Sequence, residues 1–309
     1  MHDARVRAVL ASLVVTFLWS SSFILIKWGL NDLNPLALVT YRYLLAAIVL
    51  CTMARRSHAP GSVDGRKLLV FLLLGITGYA VAQGLQVFGL YYLPAVTVSF
   101  ILNFNPLIVL ILGIAFLGER PTIRQGIGIA VTLVGVWLFF NDVGLVADNA
   151  RGIAITLVSG IGWASYMVLS RRVLRGYREN IYTFTGVPML IASLVLLATT
   201  GLSGNMEAPT MEGVVIIGWL AFVNTALAFY LWNHALQSVR AYEQCILQNT
   251  MLIQIAILSV IFLGETIDAP KAAGIACVFI GVLLVQLRNM KKMNKNKGEK
   301  GMLTRRAQH

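Results

Sequence analysis

Charged residues are few in this chain. Asp, Glu, Lys and Arg make up 12% of its 309 residues, and 58% are hydrophobic, whereas soluble domains carry about 25% charged residues. So few ionised groups cannot cover a folded surface in water, which excludes an ordinary soluble domain. Cysteine is scarce as well: Cys51, Cys245 and Cys277 are the three, each inside an apolar run. An odd number at wide spacing excludes a disulfide framework and a zinc site. The chain has no His-Glu-x-x-His, no Gly-x-x-x-x-Gly-Lys-Ser/Thr phosphate loop and no appended nucleotide domain. ATP is therefore not the direct energy source, and no cofactor or metal is expected.

What the sequence has in plenty is long apolar runs, at 8–28, 36–53, 68–91, 95–117, 123–140, 153–173, 181–200, 214–236, 241–263 and 272–287. Most come near the roughly 20 residues that cross a bilayer. The chain thus reads as an all-α membrane protein of ten transmembrane helices. Arg5 and Arg7 ahead of the first run resemble the start of a secretory signal. That run, however, is about 21 residues long and lacks a small-residue cleavage pattern, so it reads as a retained helix.

The net charge of +12 bears first on orientation, because Lys and Arg collect on cytoplasmic loops. With the N-terminus inside, twenty-one of the 25 basic residues fall on the cytoplasmic side and three, Lys27, Arg151 and Lys271, on the other. Arg42 lies within a span. Both termini are then cytoplasmic in a cell (plasma or inner) membrane. The tail 288–309 reads as a disordered basic segment near anionic lipid headgroups, not as a nucleic-acid binder.

Phe116-Leu117-Gly118-Glu119 recurs as Phe262-Leu263-Gly264-Glu265, an offset of 146 residues, and the match runs on ungapped through Gly128/Gly274 and Gly135/Gly281. Earlier, Trp19 aligns with Trp163, Ser21 with Ser165 and Lys27 with Arg171 at an offset of 144. Each half, 1–146 and 147–287, then holds five helices. Since five is odd, the second half enters the bilayer from the opposite side. Inverted repeats of this kind allow one central site to open to either face.

Polar residues inside the spans should face the protein or a wet cavity. The candidates for such a cavity are Trp19 and Ser21 in helix 1, Tyr79 and Gln83 in helix 3, and Ser99 and Asn103 in helix 4. Helix 6 adds Trp163 and Tyr166, helix 8 Asn224, and helix 9 Gln248 and Asn249. Asn103 and Asn249 align at the offset of 146 and are expected to flank one site. Pro106 frees the carbonyl of Leu102 and marks a kink or hinge. Arg42 lies some six residues into helix 2, about 9 Å deep, where an unpaired cation is costly. Its expected role is to anchor that helix, with contact to a substrate anion as the alternative; Tyr41 and Tyr43 beside it read as interface residues. Glu119 and Glu265 end helices 4 and 9, where a carboxylate opposes the local dipole, so each is expected to cap a neighbouring helix start or to gate. Gly201-Leu202-Ser203-Gly204 has the form found in rhomboid proteases. However, His234 lies towards the other membrane face, out of reach of Ser203 as a base.

Trp19-Ser20-Ser21-Ser22-Phe23, Tyr41-Arg42-Tyr43-Leu44-Leu45-Ala46 and the two Phe-Leu-Gly-Glu blocks resemble the EamA-type, ten-helix branch of the drug/metabolite transporter superfamily, over essentially residues 8–287. The resemblance implies alternating access through a central cavity and export of amino acids, related metabolites or drugs. It makes Arg42 and Glu119 the recurrent charged positions, although Gly186 stands where the second half would match Arg42. A tag placed after His309 should be protected in intact cells while one in the 202–212 loop is accessible. Reversed accessibility at both sites would overturn the orientation.

Overall fold

The computed structural model describes residues 2–57, 65–105, 107–108, 123–140, 147–176, 180–237 and 241–284, and every regular element among them is helical. Six stretches are long and apolar enough to cross a membrane by length and composition: Val6–Gly29, Pro35–Arg56, Lys67–Tyr92, Asn149–Ser170, Ile181–Leu202 and Met211–Ala235. Shorter apolar helices are Gly126–Phe140, Leu247–Leu263 and Ala269–Leu284. All nine coincide with apolar runs of the sequence, and the remaining run, 95–117, is described at its start. The protein is a multi-pass membrane protein.

In chain order the elements are α1 (His2–Gly29), α2 (Pro35–Arg56), α3 (Gly65–Leu74), α4 (Leu85–Tyr92), α5 (Ala95–Leu102), α6 (Ile123–Phe140), α7 (Ala147–Gly176), α8 (Ile181–Leu202), α9 (Met211–Ala221), α10 (Ala228–Ala235), α11 (Ala241–Leu263) and α12 (Ala269–Leu284). α3 and α4 are joined without a break by a π-helical segment, Gly75–Gly84, and α9 and α10 by a second one, Phe222–Leu227. The ends follow ordinary capping chemistry. Asn34, Asn180 and Thr210 accept from Ala37, Tyr182 and Gly213 amides at the starts of α2, α8 and α9, which satisfies donors the helix itself cannot. Gly204, with φ +69°, lets the chain turn away after α8.

The side-chain distribution of α1 is that of a helix whose solvent is lipid. Leu10, Val14 and Phe17 are exposed on one face, while Ser12, Thr16, Ser20 and Trp19 are buried on the other. Apolar groups point outwards and hydroxyls inwards, as a bilayer requires.

Two compact units form, and neither is a sequence half. One comprises Met1–Asn105 with Gly144–Ile267, the other Pro106–Val143 with Asp268–His309. In the first, α2 packs along α8, the π segment Gly75–Gly84 along α7, and α1 along α10 and α11. The α2–α8 approach is close at Gly186, where a β-carbon would lie 3.0 Å from Leu50 Cβ and 3.2 Å from Cys51 N. One end of this unit is tied by its loops. Asn34 N donates to Glu207 Oε2 (2.8 Å), Asn34 Nδ2 to Asn205 O (2.9 Å), Tyr41 Oη to Glu207 O (2.8 Å) and Thr210 N to Asp32 Oδ2 (3.0 Å). The hydrogen bonds from Asn34 hold the Glu207 carboxyl below the usual carboxylate range, so it is ionised and accepting at neutral pH.

Glu265 belongs to the same unit, and its two carboxylate oxygens accept from Ala95 N (2.6 Å) and Val96 N (3.1 Å). It caps the start of α5, where a negative charge meets the positive end of the helix dipole. Glu119 and Pro106 lie outside the described residues. Just before Pro106, α5 ends at Leu102, and Asn103 and Phe104 form a turn.

In the second unit α6 and α12 pack backbone to backbone. A β-carbon on Gly274 would lie 2.8 Å from Gly135 O, one on Gly135 2.8 Å from Gly274 O, and one on Gly281 2.6 Å from Gly128 O. Small residues are what allow two helices this close in lipid. Gly274→Ala should therefore cost about 1–3 kcal/mol of stability, seen as a lower melting temperature in detergent. Gly218→Ala, which meets nothing within 4 Å, should melt as the parent does. Equal melting of both variants would contradict this packing.

Candidate functional site

Inside the first unit four large rings from three helices meet around α1. Trp19 lies edge-on to Trp163 of α7 (centroids 5.7 Å apart, planes at 88°) and contacts Phe229 (5.2 Å) and Trp232 (4.8 Å) of α10. Trp163 stacks on Tyr166 (5.3 Å, 23°). Tyr79, in the first π segment, touches Tyr166 (5.5 Å), Phe229 (5.1 Å) and Tyr43 of α2 (5.9 Å). All seven rings are buried. Edge and stacked ring pairs of this kind contribute about 0.5–1.5 kcal/mol each beyond the area they bury, so ring contacts as well as burial hold the cluster together.

Polar atoms enter the cluster at defined places. The hydroxyls of Tyr79 and Tyr166 share a hydrogen bond (3.1 Å), Tyr43 Oη donates to Gln83 Oε1 (3.0 Å), and Trp163 Nε1 donates to Gln248 Oε1 (3.4 Å). Asn224, in the second π segment, donates from Nδ2 to Leu18 O and to Ser21 Oγ (3.1 Å) on α1. Arg42 is 1% exposed; its Nε donates to Thr225 Oγ1 (2.6 Å) and its guanidinium lies 5.2 Å from the Tyr43 ring centroid. Two buried atoms of the cluster have no protein partner, the donor Trp232 Nε1 and the acceptor Asn224 Oδ1. Such atoms cost about 1–3 kcal/mol each and call for a functional account.

The π segments explain why these helices can meet. Widening the turn releases backbone groups that side chains then take up, and such segments gather at functional sites. Ser159 Oγ of α7 donates to Ala82 O (2.5 Å) in the first segment. In the second, Asn224 and Thr225 point to α1 and α2.

Of the sequence candidates, Trp19, Tyr79, Trp163 and Tyr166 form the core of the cluster, and Ser21, Gln83, Asn224 and Gln248 hydrogen-bond at its edge. Ser99 turns back to donate to Val96 O (2.8 Å). Asn103 is buried with Oδ1 unpaired, but no described contact joins it to the rings. Asn249 is buried one residue beyond Gln248. The reading of Tyr43 as an interface residue is corrected. Tyr41 does sit at the tied end, but Tyr43 is fully buried among the rings. Two positions apart on a helix means about 200° of rotation, so the pair could not share a face. Phe229 went unrecognised because a lone Phe in an apolar run carries no periodic signal. Ser203 Oγ donates to Thr200 O (3.1 Å) and accepts from Asn205 Nδ2 (2.8 Å), while His234 stacks on Tyr230 (5.9 Å). Ser203 closes a helix end and is not paired with a base.

The known proteins that this chain resembles are transporters. The EamA-like transporter family matches twice, over residues 6–141 and 150–287. An uncharacterized transporter from Archaeoglobus fulgidus is 26% identical over 86% of this chain and 93% of its own length. A probable amino-acid metabolite efflux pump from Salmonella typhimurium is 24% identical over 88% of this chain and 92% of its own. Its namesake in Escherichia coli is 25% identical over 74% of this chain and 78% of its own. One crystal structure has a TM-score of 0.67 at 16% identity, covering 91% of this chain and 98% of that one, which shows a shared fold. The chain belongs to the EamA-like transporter family: it is a membrane transporter of small molecules and not an enzyme.

Proposed function

We propose that the protein is a secondary transporter of the cell (plasma or inner) membrane that exports an amino acid or a related metabolite by alternating access, with the aromatic cluster as its binding site. The observation that carries this reading is the edge-on contact of Trp19 with Trp163. These two residues are equivalent in the sequence repeat, and a residue can touch its own equivalent only near the axis that relates the halves. The cluster would then sit on that axis, where an inverted repeat places its substrate. Three further observations support the repeat. The family matches each half separately. The π segments fall at corresponding places, the centre of Gly75–Gly84 being about 145 residues before that of Phe222–Leu227. The α6–α12 contacts also exchange under the offset of 146, which converts the Gly135–Gly274 approach into Gly281–Gly128.

The substrate class follows from the site's chemistry together with the names of the relatives. Unpaired Trp232 Nε1 and Asn224 Oδ1 offer one donor and one acceptor to a solute, and the ring faces offer apolar contact and attraction for an ammonium group. A lipophilic cation is disfavoured, because Arg42 brings a buried positive charge against Tyr43 at the margin of the same cluster. With both termini inside, the tied loops at Asn34 and Glu207 close the outer end, and opening outwards has to break those bonds. On this reading Asn103 and Asn249, which align in the sequence repeat, are flanking groups that meet the solute in different access states.

Metabolite profiles of cells overexpressing the protein, set against an empty-vector control, should show amino-acid-like compounds moving to the medium. Flux of those compounds in proteoliposomes should follow. Asn103→Ala and Asn249→Ala should each reduce flux and the thermal stabilisation by the transported compound about tenfold or more, with normal melting in its absence. Enrichment of lipophilic cations alone would refute the substrate class. Variants that transport normally would remove the asparagines from the site and leave Trp19 and Trp163.

A further inference from the structure

Arg42 is the eighth of the 22 residues of α2 and is 1% exposed. An arginine cannot shed its proton at any physiological pH, so it is buried as a cation. With almost no surface exposure it does not snorkel out to water. Its Nε is committed to the hydroxyl of Thr225 at 2.6 Å, a neutral partner, and one side of the group faces the Tyr43 ring. No carboxylate among the described side chains lies within ion-pair distance of it. A buried cation with only neutral partners among the described side chains is strongly destabilising, more than a helix anchor needs when a hydroxyl or an amide would serve.

The surroundings say what the counter-charge is. Thr225 holds Nε and so orients the planar group, leaving the terminal nitrogens as the fork that binds a carboxylate through two parallel hydrogen bonds. Thr225 follows Asn224, whose Oδ1 is an unpaired buried acceptor, and Tyr43 contacts Tyr79 within the ring cluster. One short segment thus holds the cation through Thr225 and carries the unpaired acceptor on Asn224, and Tyr43 joins the cation to the aromatic faces. Cation, acceptor and rings match the carboxylate, ammonium and side chain of an α-amino acid. We propose that the Arg42 guanidinium, oriented by Thr225, is the seat of the carboxylate of the transported solute. This rests on the amino-acid reading of the site. Binding then supplies a counter-charge that no described side chain gives Arg42, and the bond between Arg42 and the second π segment couples binding to that segment.

The test is thermal stabilisation and binding with the purified protein in detergent, using the twenty standard amino acids and the carboxamide of each that binds. At least one amino acid should bind the parent protein about 30-fold or more tightly than its amide, which lacks the charge. Arg42→Gln should lose that preference and bind the acid about 30-fold more weakly, Arg42→Lys should keep part of it, and Thr225→Val should weaken the acid several-fold while leaving the amide unchanged. Equal binding of acid and amide by the parent, or unchanged acid binding by Arg42→Gln, would overturn the proposal. Stabilisation by chloride that depends on Arg42, with no preference for an acid, would overturn it too. If Arg42→Gln does not fold, the acid–amide ratios of the parent and of Thr225→Val decide. If no amino acid binds the parent, the substrate reading falls, and benzoate against benzamide decides the Arg42 seat separately: a benzoate preference lost in Arg42→Gln, or reduced but kept in Arg42→Lys, supports it, and no preference in the parent refutes it.

Discussion

A polar atom in hydrocarbon has to find its partner inside the protein, and most of this structure follows from how that demand is met. The cheapest answer is local. Ser22 donates to Trp19 O on α1, Thr52 to Ile48 O on α2 and Ser165 to Ile161 O on α7, each closing the account of its hydroxyl within about one turn. Such residues need nothing from a neighbour and carry no information about a site. Amides and guanidinium groups have more donors than one helix can absorb, so they must reach across. Asn224 reaches α1, Gln244 of α11 reaches Trp232 O at 3.0 Å, Asn233 of α10 reaches Thr185 Oγ1 at 2.9 Å, and Arg42 reaches Thr225. Several of these cross-links converge on the ring cluster, which separates that region from the rest of the packed interior.

The same distinction decides what could be read from the sequence. Spans were legible because the bilayer sets their length, and the close glycines of α6 and α12 were legible because the repeat printed them twice as Gly128/Gly274 and Gly135/Gly281. Trp19 and Trp163 were legible for the same reason. The π segments were not: Gly75–Gly84 and Phe222–Leu227 have ordinary compositions, and a change in backbone register leaves no mark on residue type. Without them, the partner of Arg42 had no address, since Thr225 is one hydroxyl among many in apolar runs. Ser99 shows how little a lone hydroxyl says about a site. It reads as a cavity residue by type and position, yet its hydroxyl is absorbed by Val96 O, because a serine can always choose the local partner.

The break in the repeat is as informative as the repeat. Position 186 corresponds to Arg42 at the offset of 144, and the glycine there is required by contact: its missing side chain lets α8 approach the backbone of α2 at Leu50 and Cys51. A second arginine would drive apart the helix pair that packs most extensively in this unit, and would add a second buried cation to that pair. One half therefore supplies the closeness and the other supplies the charge. The π segments divide labour in the same way, with Tyr79 in the first giving a ring face and Asn224 and Thr225 in the second giving polar atoms. On the alternating-access reading, two related halves make the inward and outward states similar in energy, but a solute with one carboxylate and one ammonium is itself asymmetric. A symmetric frame that carries unlike groups on its two halves meets both requirements, since the frame sets the exchange between states and the unlike groups fix which way round the solute lies.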